Sequence, residues 1–201
     1  MGKKVVMIVL DQFADWEGAF ISNALMSGEI SQDNQVLWAS TDKDPKRSMG
    51  QMTVLPDITL EEIPDDADAL LLIGGRSWRG DEAKKVVAVV EHFLESQKLV
   101  GFICDATYFA ADNGFLNNVK HTGNDPTDMA AAPGYTGGEH YLMENAVADQ
   151  KIVTANGNSP VEFATLILEE LEAADPTDIK MWSDFYTIGY LNALRKYGYL
   201  E

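Results

Sequence analysis

Three continuous apolar runs constrain the fold of this chain more than any other feature. They cover residues 5–10, 69–73 and 99–103. A strand with one wet face alternates apolar and polar residues, whereas a strand covered on both faces is apolar throughout. The runs therefore predict parallel strands buried between two layers of helices, and we expect shorter strands at residues 35–39 and 151–155.

Helical patterns lie between the predicted strands. Residues 81–97 carry apolar side chains at positions i, i+3, i+4, i+7 and i+8, which is the spacing of an amphipathic helix. We predict further helices at residues 15–26 and 106–112, and another from Ser159-Pro160 onward, because serine caps a helix and proline suits its first position. In the first of these helices we expect an inward stripe made of Ala19, Ile21, Leu25 and Met26.

The alternation of strands and helices predicts an α/β fold with a doubly wound, mostly parallel sheet and helices on both faces. Residues 52–63 interrupt the alternation and are predicted to form an antiparallel excursion. We assign residues 1–174 to this domain and residues 175–201 to a helical extension rich in aromatic residues. The extension either packs on its own domain or forms a contact in a homodimer, since aromatic residues are enriched at the cores of interfaces.

The charge and the cysteine content narrow the possible partners and the compartment. The net charge is −17, with 15 Lys and Arg against 32 Asp and Glu, which argues against binding to nucleic acid or an anionic membrane. The first apolar run is too short for a signal peptide or for the roughly 20 residues of a membrane span. A single cysteine allows no internal disulfide, so we expect a reducing, cytoplasmic location.

Cys104 is the strongest candidate for a reactive residue. It stands at the end of a buried strand and directly before a helical pattern. Ligands of open α/β sheets gather at the carboxyl ends of strands, and a helix N-terminus lowers the pKa of a nearby thiol. The turn also offers backbone N–H groups to a developing oxyanion. The alternative interpretation is a buried cysteine that acts only as a small apolar side chain.

Gly74-Gly75 marks a second candidate segment, because consecutive glycines let the backbone approach a ligand closely. Arg76, which follows, is a candidate for contacting an anionic or planar substrate, unless it is simply a solvated loop residue. The chain has neither a G-x-G-x-x-G segment nor a P-loop, and its three histidines lack the spacing of metal ligands. We therefore expect no cofactor and no metal.

Five segments, taken in order, resemble the ThiJ/PfpI family within the class I glutamine amidotransferase-like superfamily. The resemblance runs from about residue 5 to residue 171. The segments are residues 6–10 with Asp15-Trp16-Glu17, residues 71–75, residues 102–104, residues 114–116 with Thr122, and residues 154–159 leading into residues 162–164.

The resemblance implies a flavodoxin-like fold with Cys104 as the nucleophile, held in sparsely populated backbone geometry. It implies that Glu17 hydrogen-bonds the cysteine sulfur and that the N–H groups of Gly75 and Asp105 bind the oxyanion. It also implies a homodimer. The candidate substrate-binding residues are Gly74, Arg76 and Asn124.

Two positions depart from the family pattern. Many members have a histidine directly after the nucleophile or in a downstream Thr-Thr-His motif. This chain has Asp105 at the first position and Asn124 at the second. His121 lies three residues earlier and is a candidate base. A carboxylate at Asp105 would oppose thiolate formation if it turned towards the sulfur.

Two functions from different classes remain open. The first is a cysteine-dependent hydrolase of the protease/amidase kind, or a glyoxal-type lyase, acting on a small molecule or peptide. The second is a redox-sensing or stress-protective protein whose Cys104 is oxidised. A glutaminase subunit is disfavoured because the only nearby pattern, Gly138-Glu139-His140, reverses the required His-x-Glu order. A DNA-binding regulator is disfavoured because no residues are left for a helix-turn-helix.

Overall fold

A central seven-stranded sheet forms the middle layer of the molecule. The computed structural model describes residues 2–28, 30 and 33–200. The strands of this sheet are β1 Lys4–Ile8, β2 Gln35–Ser40, β5 Ile58–Thr59, β6 Ala69–Leu72, β7 Leu99–Ile103, β8 Ala146–Asp149 and β9 Ile152–Ala155. Their order is β5-β2-β1-β6-β7-β9-β8, and every pair is parallel except β8 with β9. The predicted flavodoxin-like, mostly parallel sheet is confirmed.

Helices cover both faces of the sheet. They are α1 Asp15–Met26, α2 Val87–Glu95, α3 Asp105–Asp112, α4 Pro126–Ala130, α5 Pro160–Glu170, α6 Pro176–Thr187 and α7 Tyr190–Lys196. A hairpin of β3 Lys46–Arg47 and β4 Thr53–Val54 stands apart from the sheet, and short 3-10 helices lie at Leu60–Glu62, Ala83–Val86 and Gly138–His140.

Two buried apolar clusters hold the three layers together. On one face, Val6, Ile8 and Leu72 of the sheet pack with Phe93 of α2 and Phe109 of α3. On the other face, Val5, Met7 and Leu71 pack with Ile21 of α1 and Phe163 of α5. Successive side chains of a strand point to opposite faces, so a strand buried between two clusters has no polar face. This explains the continuous apolar runs in the sequence.

Several sequence expectations need correction. Ile21 and Leu25 of α1 are buried, but Met26 is 56% exposed and Ala19 is also exposed. The inward face of α1 is completed by Glu17, Gly18 and Ala24 instead. Of the predicted antiparallel excursion at residues 52–63, only β4 is antiparallel, because β5 joins the main sheet parallel to β2. The helix predicted at residues 81–97 divides into a 3-10 turn and α2.

The C-terminal extension forms two helices that follow α5. Ile179 and Trp182 of α6 are buried in the second cluster, so α6 packs on its own domain. Asp184 accepts hydrogen bonds from the Lys196 ammonium and, at 2.6 Å, from the Tyr197 hydroxyl, which joins α7 to α6. Several aromatic side chains of the extension remain exposed, and a dimer contact there stays a prediction. Met1 and Glu201, the outer ends of the two predicted segments, lie outside the described residues.

Within the described ranges, the helices are too short or too polar to cross a membrane.

Candidate active site

The candidate site lies at the carboxyl edge of four neighbouring strands. Glu17 is in the helix that follows β1, Gly74 and Gly75 follow β6, Cys104 follows β7, and Gly157 follows β9. These strands are adjacent in the order β1-β6-β7-β9. The chain leaves β1 in one direction across the sheet and fills the other side from β6 onward. The site therefore sits beside the switch point where open α/β sheets bind ligands.

Cys104 occupies the turn between β7 and α3 with φ +58° and ψ −127°. Non-glycine residues rarely adopt this geometry, which persists only where surrounding contacts impose it. Here the Cys104 N–H donates to the Ala155 carbonyl at 3.0 Å, and the Cys104 carbonyl accepts from the Thr107 hydroxyl at 2.6 Å. The nearby backbone N–H of Asp105 lowers the pKa of the Cys104 thiol, against the larger effect of burial.

Glu17 is a fully buried carboxyl group beside this thiol. Its side chain is 0% exposed, and its Oε2 accepts a hydrogen bond from the Gly74 N–H at 2.9 Å. Its Oε1 has no other polar partner among the described residues, so it faces the Cys104 sulfur alone. Burial raises the pKa of Glu17 from 4.5 to about 7, and the nearby charge of Asp105 adds to the increase.

The two groups titrate as a pair. Burial, together with the adjacent Glu17, raises the pKa of the Cys104 thiol to about 12. Either anion alone is tolerated, but the second is opposed by burial and by repulsion from the first. Between about pH 7 and pH 12 the pair therefore holds one proton and one negative charge. That proton can move to a substrate when the sulfur attacks.

Asn124 takes the place at the sulfur where many family members have a histidine. Its side-chain amide donates to the Cys104 sulfur at 3.3 Å, and its oxygen accepts from the Gly157 N–H at 2.9 Å. A donor at the sulfur favours the thiolate, and it lowers the pKa of Cys104 against the larger effect of burial. An amide cannot accept a proton at neutral pH, so Asn124 orients and stabilises the sulfur without acting as a base.

Glycine is required on two sides of the sulfur because there is no room for a Cβ. A Cβ on Gly157 would lie 2.8 Å from the Cys104 sulfur and 3.1 Å from the Glu17 Oε1. A Cβ on Gly74 would overlap the Glu17 carboxyl and approach the Cys104 Cβ to 2.5 Å. The sulfur and the carboxyl are therefore in contact only because both segments are glycine.

Gly75 supplies the candidate oxyanion donor. Its φ is +152°, and a Cβ would press on the Gln12 carbonyl, so this position also requires glycine. The neighbouring Gly74 carbonyl accepts from Ala14 at 2.8 Å, and the Arg76 N–H donates to Gln12 at 3.1 Å. These bonds hold the segment rigidly, and the Gly75 N–H has no acceptor among the described residues. It is free to bind a substrate oxygen.

Asp105 has a different role for its side chain than for its N–H group. Both carboxylate oxygens of Asp105 accept from the guanidinium of Arg79, with the Nε at 3.0 and 2.9 Å. The carboxylate is thus paired with a cation rather than bonded to the sulfur. Arg76, by contrast, is exposed and makes no ion pair within the described part of the chain, which leaves its guanidinium available to an anionic substrate.

His121 is not joined to the sulfur. Its Nδ1 donates to the Val119 carbonyl at 2.8 Å, and its Nε2 accepts from the Tyr135 hydroxyl at 2.7 Å. The side chain is fully buried, and burial lowers the pKa of His121. Both ring nitrogens are occupied and the ring is neutral, so the structure gives it a packing role. His140 is half-buried, with a 3.7 Å contact to Glu139.

Sequence reasoning missed two residues of the site. Gly157 was part of a resembling segment but had no assigned role, because a lone glycine does not reveal what packs against it. Trp16 is 43% exposed, and its indole N–H donates to the Gly157 carbonyl at 3.0 Å, which ties α1 to the loop after β9. Its position directly before Glu17 was the available signal.

No group of three or more His, Cys, Asp or Glu side chains in the described ranges is arranged to hold a metal ion.

The chain is similar to known proteins over most of its length. Residues 3–170 match the model of the DJ-1/PfpI family. The chain is 34% identical over 196 residues to the Bacillus subtilis protein named uncharacterized protease YdeA, covering 98% of this chain and 97% of that one. It is 24% identical over 147 residues to the Caenorhabditis elegans glutathione-independent glyoxalase DJR-1.2, covering 72% of this chain and 77% of that one.

A solved structure shows the same fold. The DJ-1 superfamily protein Atu0886 from Agrobacterium tumefaciens superposes with a TM-score of 0.83 at 34% sequence identity, covering 91% of this chain and 97% of that chain. The family match extends over most of the chain, and the close relative covers nearly all of it. The chain therefore belongs to the DJ-1/PfpI family.

Proposed function

We propose that this protein is a cysteine-dependent enzyme that adds Cys104 to the aldehyde carbon of a small 2-oxoaldehyde and converts it to a 2-hydroxy acid. The observation that carries the proposal is the contact between the Cys104 sulfur and the fully buried Glu17 carboxyl, a pair that holds one proton above about pH 7. The free N–H of Gly75 lies at the same sheet edge. The name of the glyoxalase relative from C. elegans supports the same substrate class.

The addition step needs only groups that the site contains. The sulfur of the thiolate form attacks the aldehyde carbon, and the carbonyl electron pair moves onto oxygen. The Gly75 N–H binds this oxyanion, and the protonated Glu17 transfers its proton to it. The product is a neutral hemithioacetal and a Glu17 carboxylate, so charge and protons balance.

The following steps use the same carboxylate. Glu17 removes the proton from the former aldehyde carbon, giving an enediolate and a protonated Glu17. Glu17 then returns this proton to the neighbouring carbon, while the hydroxyl proton of the former aldehyde carbon passes to the neighbouring oxygen. The result is a thioester on Cys104, in which the former aldehyde carbon is oxidised and its neighbour reduced. Water then cleaves the thioester to release the 2-hydroxy acid and the thiol. One carboxyl group with a pKa of about 7 is suited to both donating and accepting a proton at neutral pH.

Amide hydrolysis is less well supported by the site. Cleavage of an amide requires a proton for the departing nitrogen and a base for the incoming water, which a histidine beside the cysteine ordinarily supplies. Here the position at the sulfur is Asn124, and the nitrogens of His121 are both occupied. Aldehyde addition has no leaving group in its first step. The protease name of the B. subtilis relative nevertheless makes amides a necessary comparison.

The test is turnover of methylglyoxal, measured as the enantiomers of lactate formed. We expect wild type to form lactate and the Cys104→Ser and Glu17→Gln variants to lose at least 100-fold in kcat/KM, which is the lower end for general acid–base catalysis. Lys84→Met, which removes one cation of an exposed ion pair, is the control and keeps full activity. A wild type that forms no more lactate than Cys104→Ser would refute the proposal. Cleavage of a fluorogenic peptide amide that depends on Cys104 would instead establish a hydrolase.

A redox function is the second candidate. The contacts of the sulfur with the buried Glu17 carboxyl and the Asn124 amide favour it, because both groups can donate to the oxygens of a sulfinate. Treatment with one to a few equivalents of peroxide, followed by mass spectrometry, tests it. If the protein has a redox function, we expect two oxygen atoms to be added at Cys104 only, and we expect the rate of this oxidation to be lower in Glu17→Leu. Oxidation at the same rate in both proteins would reject it.

A further inference from the structure

Arg79, near the candidate site, contacts two carboxylates and an aromatic ring. Besides its bonds to Asp105, it donates to both oxygens of Asp128, from Nη2 at 2.6 Å and from Nη1 at 3.2 Å. Its guanidinium also lies 3.9 Å from the centre of the Tyr108 ring. Asp128 lies in α4 and Tyr108 in α3, so neighbouring elements hold the arginine in one place. A bidentate Arg–carboxylate pair held in this way is strongly directional.

The position of the Asp105 carboxylate matters because Asp105 directly follows the nucleophile. A carboxylate facing the sulfur would oppose the thiolate and would also compete for the Asn124 amide. Two ionisable groups, Cys104 and Glu17, already share one negative charge at this point. A third ionisable group, the Asp105 carboxylate, would raise the free-energy cost of that charge further if it had no counter-ion.

We propose that Arg79 is a positioning residue that holds the Asp105 carboxylate and neutralises it, so that the thiolate of Cys104 can form beside an acidic residue. The proposal rests on the proposed nucleophilic role of Cys104. Asp128 and Tyr108 act by fixing Arg79. Among the described residues, the charged groups near the sulfur are Glu17 from α1 and Asp105 from α3. Arg79, from the loop after β6, is bonded to Asp105 and also to Asp128 of α4.

The electrostatics of the site support this role of Arg79. The charge of Asp105 is already among the causes that raise the pKa of Glu17 while its carboxylate is paired with Arg79. The pairing also raises the pKa of Arg79 above its usual range, so the arginine is charged at every working pH. Removing the cation leaves the charges of Asp105 and Asp128 without a counter-ion, and Asp105 is the one next to the Cys104–Glu17 pair.

The test measures the rate of Cys104 alkylation by iodoacetamide against pH, which reports the thiol and needs no turnover. We expect Arg79→Met to lower the alkylation rate about tenfold at every fixed pH below the pKa of Cys104. This is the effect of a rise of about 1 in that pKa, caused by an uncompensated charge at a partly exposed site. The double variant Arg79→Met/Asp105→Asn should return to the wild-type profile. Lys84→Met is the matched loss of a cation and should leave the profile unchanged.

Each outcome decides the proposal. An unchanged profile in Arg79→Met overturns it, and so does a raised pKa that Asp105→Asn fails to restore, because then Arg79 acts only on the fold. Should Arg79→Met fail to fold, Arg79→Lys in the same assay gives a smaller rise that Asp105→Asn must again cancel. Because alkylation does not depend on lactate formation, an enzyme without methylglyoxal turnover refutes the proposed function without affecting this test.

Discussion

Glu17→Gln is the most informative single substitution, because it separates the cost of a buried charge from the shape of the site. Glutamine has the same size and keeps an oxygen that can accept from the Gly74 N–H. What it removes is ionisation. Folding raises the pKa of Glu17 from 4.5 to about 7, so the folded state binds its proton more tightly than the unfolded state.

The sign and size of the effect follow from this difference. A carboxyl whose pKa is raised on folding favours the folded state fully below pH 4.5, and this contribution is lost as the pH rises through 7. The complete loss is about 3.4 kcal/mol, and about 2.5 kcal/mol of it falls between pH 5 and pH 8. The Gln variant lacks this term. Relative to wild type, it should therefore gain about 2.5 kcal/mol of unfolding free energy between these two pH values.

The assay is urea unfolding of both proteins at pH 5 and pH 8. Comparing the variant with wild type at each pH cancels His121, whose pKa is lowered by burial and whose contribution to stability rises with pH in the same window. Asp184, with a pKa lowered to about 2, does not titrate there. A stability difference that is the same at pH 5 and pH 8 would show that Glu17 ionises as freely folded as unfolded, and would refute the reasoning.

Three further predictions concern the surroundings of the sulfur. Asn124→Ala should slow alkylation of Cys104 at pH 8 by roughly threefold to tenfold, because the thiolate loses a hydrogen-bond donor. An equal rate would show that the amide does not reach the sulfur. Gly157→Ala should abolish alkylation because its Cβ would lie 2.8 Å from the sulfur, whereas Gly138→Ala, with nothing within 4 Å, should have no effect. His121→Ala should cost about 2–4 kcal/mol in urea unfolding yet leave the alkylation profile unchanged, and a shifted profile would identify it as a base.

Much of the architecture could be predicted from the sequence, because a strand that is buried on both faces is a continuous run of apolar residues. The apolar runs of β1, β6 and β7 could be recognised without any knowledge of their partners. The short strands β5 and β8 could not, since two to four residues at a sheet edge carry little pattern. The prediction of the inward face of α1 was partly wrong because Glu17 is buried there. A pattern of hydrophobic residues cannot predict a buried carboxyl group.

The candidate site was predictable in its residues but not in their contacts. The strand-to-helix position of Cys104 and the glycine pair at residues 74–75 were visible in the sequence. The sequence could not show whether Asn124 or His121 contacts the sulfur. The two residues are only three positions apart, and the conformation of the loop decides which of them reaches Cys104. In the folded protein the Asn124 amide donates to the sulfur, and the two ring nitrogens of His121 are hydrogen-bonded to a backbone carbonyl and to a tyrosine hydroxyl.

The amino-acid order was enough to predict the three buried strands β1, β6 and β7, the helices between them, the strand end that carries Cys104, and the acidic net charge. The chemistry of the sulfur, by contrast, depends on the tertiary structure. A pKa depends on burial and on groups within a few ångströms, and Glu17, Asn124 and Cys104 come from positions up to 107 residues apart. The parallel sheet brings the first helix and the Cys104 turn to one edge, and the loop between α3 and α4 brings Asn124 to the sulfur. Pairing of Asp105 with Arg79 depends on the same folding, since no local pattern links the two residues.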